Sequence, residues 1–497
     1  SEMTQNNNIP FLKKKPLNQL LTGLTQLDSH EFADASISGI SLHAGSVCSG
    51  NIFVAIQGNK FDGHDFIPEA VKNGAAAIIS NGRDIGELSI PQVRVANPRR
   101  AASWVASEFF GHPSRELTMI GITGTNGKTS TATLVVSIFE AAGYKTAQMG
   151  TLGIIAKGNY PQEKTLTTLD QVSLQKTLFY LKNDSFSHVV MEVSSHALQQ
   201  CRVADVDFNI AAFTNLTPEH LDYHGNMEEY CHAKAKLFKM LPITATAVIN
   251  NDDVYGKKII SDTTIPILTT SISTKENVHY SYFELTLNGI KGTIKAGDHS
   301  YKIQSCLIGS LNLENILTAV GIAHAMGIPP HFVTKGIDSC TLIPGRLEMF
   351  KTPSGGTVVV DYAHTPDAYE KVLGTICKMS GGKLTVIFGA GGDRDVTKRP
   401  VMAAIAEKFA EQCFITPDNP RFDNPQAIQA DIVKGFTRKC YTVFNDRGEA
   451  VRSALTELKK NDILAVLGKG RENYQEIRGE KIPYSDIKII QEFCDEN

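Results

Sequence analysis

At 497 residues the chain is too long for one ordinary hydrophobic core, and its length suggests about three domains. An apolar share of 42% with 20% charged residues is that of a water-soluble globular protein, and no apolar run nears the roughly 18 residues of a spanning helix. The net charge of −3 excludes a general case for nucleic-acid or membrane-surface binding; nine scattered cysteines without a Cys-x-x-Cys pair exclude a zinc ribbon or a disulfide framework. The stretch around Lys13-Lys14-Lys15-Pro16 lacks a signal h-region, and no assembly motif stands out. The expectation is a cytoplasmic monomer with small-molecule partners, no nucleic acid and no membrane insertion.

Residues 1–112 read as a first α/β unit, with apolar runs at Ile52-Phe53-Val54-Ala55-Ile56 and Ala75-Ala76-Ala77-Ile78-Ile79. Gly111-His112-Pro113-Ser114 then supplies a linker. Over 113–342 strands and helices alternate, which predicts a parallel sheet wrapped by helices. Short alternating strands around Asn288-Gly289 and Ala296-Gly297-Asp298 predict a hairpin insertion within Val278 to Ile303. After Leu342-Ile343-Pro344-Gly345-Arg346 the alternation resumes, so 343–497 is a third, Rossmann-like unit.

The most informative segment is Gly121-Ile122-Thr123-Gly124-Thr125-Asn126-Gly127-Lys128-Thr129. It lies between an apolar strand and a helix, so backbone N–H groups and a helix N-terminus converge on one point and attract phosphate. Lys128 adds a positive charge and Thr129 a hydroxyl for Mg²⁺. The usual pattern wants glycine where Ile122 stands, so this is a variant loop in which Gly124 supplies backbone freedom. The segment reads as a nucleoside triphosphate site.

Other polar clusters follow directly on apolar strands: Glu192-Val193-Ser194-Ser195-His196, Thr214-Asn215, Asp361-Tyr362-Ala363-His364, Gly391-Gly392-Asp393-Arg394-Asp395, Asp418-Asn419-Pro420-Arg421 and Gly468-Lys469-Gly470. Open α/β sheets bind ligands beyond the carboxyl ends of their strands, so two units present functional edges across a cleft. Glu192 and His220 are candidate Mg²⁺ ligands, although a hard cation prefers oxygen; the alternative for Glu192 is a helix-cap neighbour, and His220 could equally belong to a turn. Lys234 by composition alone reads as a solvated helix lysine. Arg394 and Arg421, with nearby Asp and Asn groups, could read a zwitterion or form a surface salt-bridge network. Asp423-Asn424-Pro425 repeats half of that motif without the arginine, so the tripeptide alone is weak evidence.

Taken together, Thr123 to Thr129, Glu192 to His196, Thr214-Asn215-Leu216, His220-Leu221-Asp222-Tyr223-His224-Gly225, Gly345-Arg346 and Asp361 to His364 resemble the Mur ligase family, in order and over essentially the whole chain. The resemblance implies three domains: an N-terminal UDP-binding α/β domain, a central P-loop ATPase-type parallel sheet and a C-terminal Rossmann-like domain. Asp418 to Arg421 and Gly468 to Glu472 are most similar to the branch that adds meso-diaminopimelate to UDP-MurNAc-L-Ala-D-Glu. It implies ATP as substrate at Gly124, Thr125, Asn126, Gly127, Lys128, Thr129, Asn312, Asn315, Arg346 and Asp361. Mg²⁺ is implied at Thr129, Glu192, His220 and Lys234, the last as a carbamylated lysine (N6-carboxylysine), and Lys128, Glu192, His220 and Lys234 carry the catalytic roles. The UDP-muramoyl dipeptide falls to Thr167, Thr168, Ser194, Gln200 and Arg202, and diaminopimelate to Arg394, Asp418, Asn419, Arg421, Gly468 and Glu472. The chemistry implied is peptidoglycan-precursor amide formation through an acyl phosphate.

Three positions depart from the family pattern. His43-Ala44-Gly45 stands where Asp-Ser-Arg is usual, Leu166 where Asn is common, and Arg471 replaces a histidine and brings another positive charge near the amino-acid pocket. Alternatives are the lysine-adding relative, disfavoured by Arg421, a folylpolyglutamate-synthetase-like ligase, and an inactive nucleotide-binding regulator.

Overall fold

The structure, a computed structural model, describes residues 12–28, 32–157, 166–219 and 221–496. The first unit is a four-stranded, all-parallel sheet in the order Gly39–Ser41, Asn51–Val54, Ala77–Ser80, Gln92–Arg94. Helix Pro98–Phe109 closes one face by burying Ala101, Ala102, Val105 and Phe109 against Ile52, Val54, Ile79 and Val93. Its start is set by Asn97, whose side chain accepts from the Arg100 N–H, with Pro98 at the first helical position.

The central sheet has ten strands. Its phosphate-loop strand, Thr118–Thr123, lies between His188–Glu192 and Ile210–Phe213, parallel to both, with Thr146–Gly150 beyond the former. Strand order therefore reverses beside Thr118–Thr123, and a crevice opens at the carboxyl ends there. The predicted hairpin exists as three antiparallel strands, Val278–Thr286, Gly289–Ala296 and His299–Ser305. It is not a separate insertion: Val278 pairs with Thr270, so the three strands prolong the central sheet. Ile290, Ile294, Ala296, Tyr301 and Ile303 join the same core as the phosphate-loop helix Lys128–Ala141.

The third sheet runs Glu348–Lys351, Thr357–Asp361, Ile463–Leu467, Leu384–Phe388, Gln412–Ile415, Tyr441–Val443, parallel except for the first strand. Its inner strands are buried on both faces, as continuous Val/Ile/Leu runs require. Behind the carboxyl ends, fully buried Arg447 makes a bidentate pair with Asp486 at 3.0 and 2.9 Å and donates to the Leu467 carbonyl. No helix among the described residues is long and apolar enough to cross a membrane.

Candidate active site

The phosphate loop is strapped to the next strand edge. Thr125 N–H donates to the Asn215 carbonyl and Asn126 N–H to Asn215 Oδ1, both at 2.9 Å, while Thr214 Oγ1 donates to the Asn126 carbonyl at 2.7 Å. The strap explains the glycines. A Cβ on Gly124 would stand 1.9 Å from Thr214 Oγ1, and one on Gly127, at φ 89°, 2.3 Å from Asn315 Oδ1.

Two amines meet at one carbonyl. Lys128 Nζ donates to the Gly124 oxygen at 2.7 Å and Lys234 Nζ to the same oxygen at 3.0 Å. Lys234 lies in helix Met227–Lys239 and is 1% exposed, so the solvated-lysine reading is overturned. Burial, reinforced by the Lys128 charge, holds the Lys234 amine well below the ordinary lysine range. Burial also lowers Lys128, but Glu219 and Glu192 oppose the shift.

Glu192, at the end of its strand, accepts from Thr129 Oγ1 at 2.8 Å and from Thr151 N–H at 2.9 Å. Thr129 and Glu192 thus present clustered hard oxygen donors, a set suited to Mg²⁺. Among the described residues no group of three or more His, Cys, Asp or Glu could hold a metal; Mg²⁺ commonly completes its shell with phosphate oxygens and water. His220 lies outside the described residues.

The third unit closes over the loop. Arg346 approaches Thr129 Oγ1 at 3.4 Å and lies over the Tyr362 ring at 4.9 Å. Asp361 is spent on the Leu347 and Ala363 N–H groups, at 2.9 and 2.7 Å, and fixes the turn that carries Arg346. Asn126 reaches Asp367 at 3.3 Å, and buried Glu219 pairs with His364 across the same boundary. Asn312 and Asn315, in helix Ser310–Ala325, bond to each other at 3.3 Å beside Gly127.

In the third unit Lys469, fully buried, donates to Asp418 Oδ1, Asn419 Oδ1, Glu472 Oε1 and the Tyr474 carbonyl at 2.8–3.1 Å. Arg421 adopts φ 53°, held by a backbone bond to Glu476; its Nη1 donates to the Gly392 carbonyl at 2.9 Å and its Nε pairs with Glu476 at 3.3 Å. Asp423-Asn424-Pro425 is a different device, because Asn424 caps helix Pro425–Val433. Arg471 departs from expectation: its charge is neutralised by a bidentate pair with buried Glu348, so it ties the 468–472 loop to the Gly345 turn.

A single cavity of about 530 Å³ joins these groups. Its lining takes Thr125 to Thr129, Glu192, Lys234, Asn312 and Asn315 from the central unit, and Arg346, Asp361, Arg394, Asp418, Asn419, Arg421, Gly468 and Glu472 from the third. Thr167 and Ser194 line it too, while Gly124, Thr168, Gln200 and Arg202 stand behind it. Those last form a brace: Arg202 donates to the Thr168 carbonyl and to Gln200, and Thr168 Oγ1 bridges the Glu192 carbonyl and the Ser194 N–H. Ser194 Oγ is itself occupied as the cap of helix Ser195–Gln199. Around His43-Ala44-Gly45 the backbone forms a short 3-10 turn, Ala44–Ser46, whose Ala44 carbonyl accepts from Asn73.

Three family models match: the Mur ligase middle domain over residues 122–323, the Mur ligase glutamate ligase domain over 345–470, and the Mur ligase family catalytic domain over 36–109. The chain belongs to the Mur ligase family. Among its relatives, the UDP-N-acetylmuramoyl-L-alanyl-D-glutamate–2,6-diaminopimelate ligase of Aquifex aeolicus is 40% identical, covering 92% of this chain and 93% of that protein. The ligase of the same name from Halalkalibacterium halodurans is 39% identical over 93% and 95%. A solved structure of a ligase with that name superposes with a TM-score of 0.65 at 31% identity, over 93% of this chain and 95% of the other.

As a Mur ligase the chain contains site residues to which motif reading gave no role. Glu219 and His364 join the two units at the cavity, and Lys469 ties Asp418, Asn419 and Glu472 together. For Lys469 the available signal was its position between two glycines at a strand end; for the Glu219–His364 pair, 145 residues apart, no local signal exists.

Proposed function

We propose that this Mur ligase joins the amine of meso-diaminopimelate to the free carboxylate of UDP-MurNAc-L-Ala-D-Glu at the expense of ATP. The observation that carries this reading is the shared cavity, with a phosphate loop on one wall and an Arg–Asp–Asn–Glu cluster on the other.

Carboxylates are poor electrophiles, so the γ-phosphoryl passes first to the substrate carboxylate: a P–O bond forms there and the bond to ADP breaks. Lys128 and Arg346 face the charge that spreads over the transferring oxygens. Thr129, Glu192, His220 and Lys234 would hold Mg²⁺, which supplies further neutralisation of that charge. A neutral, buried Lys234 amine is the form that adds CO₂ and releases a proton, and the resulting carbamate is an anionic oxygen ligand. The incoming amine, in its neutral form, then attacks the acyl carbon; the C–O bond to phosphate breaks, and the nitrogen gives up one proton to the departing phosphate or to water. Holding both reactants in one cavity removes an entropic cost that reaches about 7–11 kcal/mol in well-oriented systems.

Thr167 and Ser194 line the dipeptide side, braced by Thr168, Gln200 and Arg202. Arg394 and Arg421 suit the second carboxylate of diaminopimelate, and Asp418 and Glu472 its ammonium. This reading puts the protein in the cytoplasm, at the precursor stage of peptidoglycan synthesis. The test is phosphate release with ATP, Mg²⁺ and UDP-MurNAc-L-Ala-D-Glu, comparing meso-diaminopimelate with L-lysine. Turnover with diaminopimelate alone is expected; turnover with lysine alone would overturn the choice of amino acid.

A further inference from the structure

Lys469 does not itself line the cavity: it is 0% exposed and binds Asp418, Asn419 and Glu472, which do. Its ammonium has three protons and is shared among four oxygens: Asp418 Oδ1 at 3.1 Å, Asn419 Oδ1 at 3.0 Å, Glu472 Oε1 at 2.8 Å and the Tyr474 carbonyl at 3.0 Å. Asn419 completes the knot by donating Nδ2 to Glu472 Oε1 at 2.7 Å. One oxygen of each carboxylate is thereby fixed inward. The other two are Asp418 Oδ2 and Glu472 Oε2, and the latter accepts from the Tyr362 hydroxyl at 3.4 Å. Asp418 Oδ2 has room because position 468 is glycine: a Cβ there would come within 2.6 Å of it. Arg447 and Arg421 also act on Asp418 but are each paired, with Asp486 and Glu476, so the net charge of the knot is that of Asp418, Glu472 and Lys469, a single negative charge.

We infer that Lys469 is a positioning residue for amino-acid selection: it turns Asp418 Oδ2 and Glu472 Oε2 into the cavity and trims two adjacent carboxylates to the single net negative charge that one substrate ammonium needs. Lys469 touches no substrate. Without it, two buried carboxylates would face each other unneutralised, and one would take up a proton or turn away. The Lys469 charge, opposing the burial penalty, helps to keep Asp418 below the usual carboxylate range.

The inference rests on the proposed acceptor, so the wild type is assayed first; activity without any dependence on diaminopimelate would fail that reading and not this one. Lys469→Met and Lys469→Arg are then compared by steady-state phosphate release from pH 6 to 9. In Lys469→Met, the KM for diaminopimelate is expected to rise at least about thirtyfold and to follow a pH profile different from the wild type's, while the KM for ATP stays within about twofold. Lys469→Arg, which retains the cation, should recover part of the loss. A diaminopimelate KM within about threefold of wild type, or equal rises in the KM for ATP and for diaminopimelate, would overturn the inference. Should Lys469→Met fail to fold, Lys469→Gln, which keeps a donor without the charge, carries the same readout.

Discussion

Arg421→Ala tests the amino-acid pocket, and the structure sets its size. The guanidinium commits Nη1 to the Gly392 carbonyl and Nε to Glu476, which leaves Nη2 for a carboxylate entering the cavity. A hydrogen bond to a charged group contributes about 1.5–3 kcal/mol. The Arg421 side chain is only 17% exposed, so a value near the middle of that range applies. About 2 kcal/mol at 1.36 kcal/mol per factor of ten is roughly a thirtyfold rise in the KM for meso-diaminopimelate. The fold should tolerate the change. Glu476, the partner left behind, is 31% exposed and recovers water, so the stability cost stays below about 1 kcal/mol. Steady-state phosphate release with diaminopimelate varied at saturating ATP, and then the reverse, separates the two substrates. The KM for ATP should stay within about twofold, because Arg421 binds to the 391–392 loop and the 474–477 strand and not to the phosphate loop. An unchanged KM for diaminopimelate, or a parallel rise in both constants, would refute the reasoning.

Three further outcomes are expected. Gly127→Ala forces a Cβ to 2.3 Å from Asn315 Oδ1 at φ 89°, a strain of about 1–3 kcal/mol; nucleotide affinity by calorimetry should fall at least about tenfold, and full affinity would contradict the account of the loop. If Lys234 works as a carbamate, turnover in CO₂-depleted buffer should drop and return on adding bicarbonate, while Lys234→Arg stays inactive in both; indifference of the wild type to bicarbonate would exclude the carbamate. Arg447→Ala strips a buried carboxylate of its bidentate partner, a loss of about 3–5 kcal/mol. At about 2–4 °C per kcal/mol, calorimetry should find the third unit melting roughly 6–20 °C lower, and a shift under about 3 °C would contradict the burial argument.

Strand-to-loop order was legible because each polar cluster sits at the end of a long apolar run, as at Met191-Glu192 and Val360-Asp361. The hairpin strands were legible from their turns, but not their membership of the central sheet, which depends on Val278 pairing with Thr270. Burial of Lys234 left a trace that composition hides. Tyr230, Lys234 and Leu237 fall at i, i+4 and i+7, on the apolar face of their helix, where a solvated lysine does not belong. Arg471 misled because charge was counted without its partner, and Glu348 lies 123 residues earlier on a different element.

The two lysines at the Gly124 carbonyl show why the site needs its tertiary structure to work. Two ammonium groups on one carbonyl repel, and both lie out of water, so the protein favours one cation and one neutral amine. Lys128 has Glu219 and Glu192 to support its charge, against Arg346; Lys234 has Glu219, against Lys128 itself. The asymmetry favours the cation on the phosphate-loop lysine and the neutral amine on Lys234. Its sign is that of a base depressed on folding: the unfolded chain binds the extra proton, so this group's penalty on stability grows as pH falls below the ordinary lysine range. On the proposed carbamate, capture of CO₂ would remove that penalty by converting the amine into an anion beside Lys128, and so would relieve a strain in charge that folding itself creates.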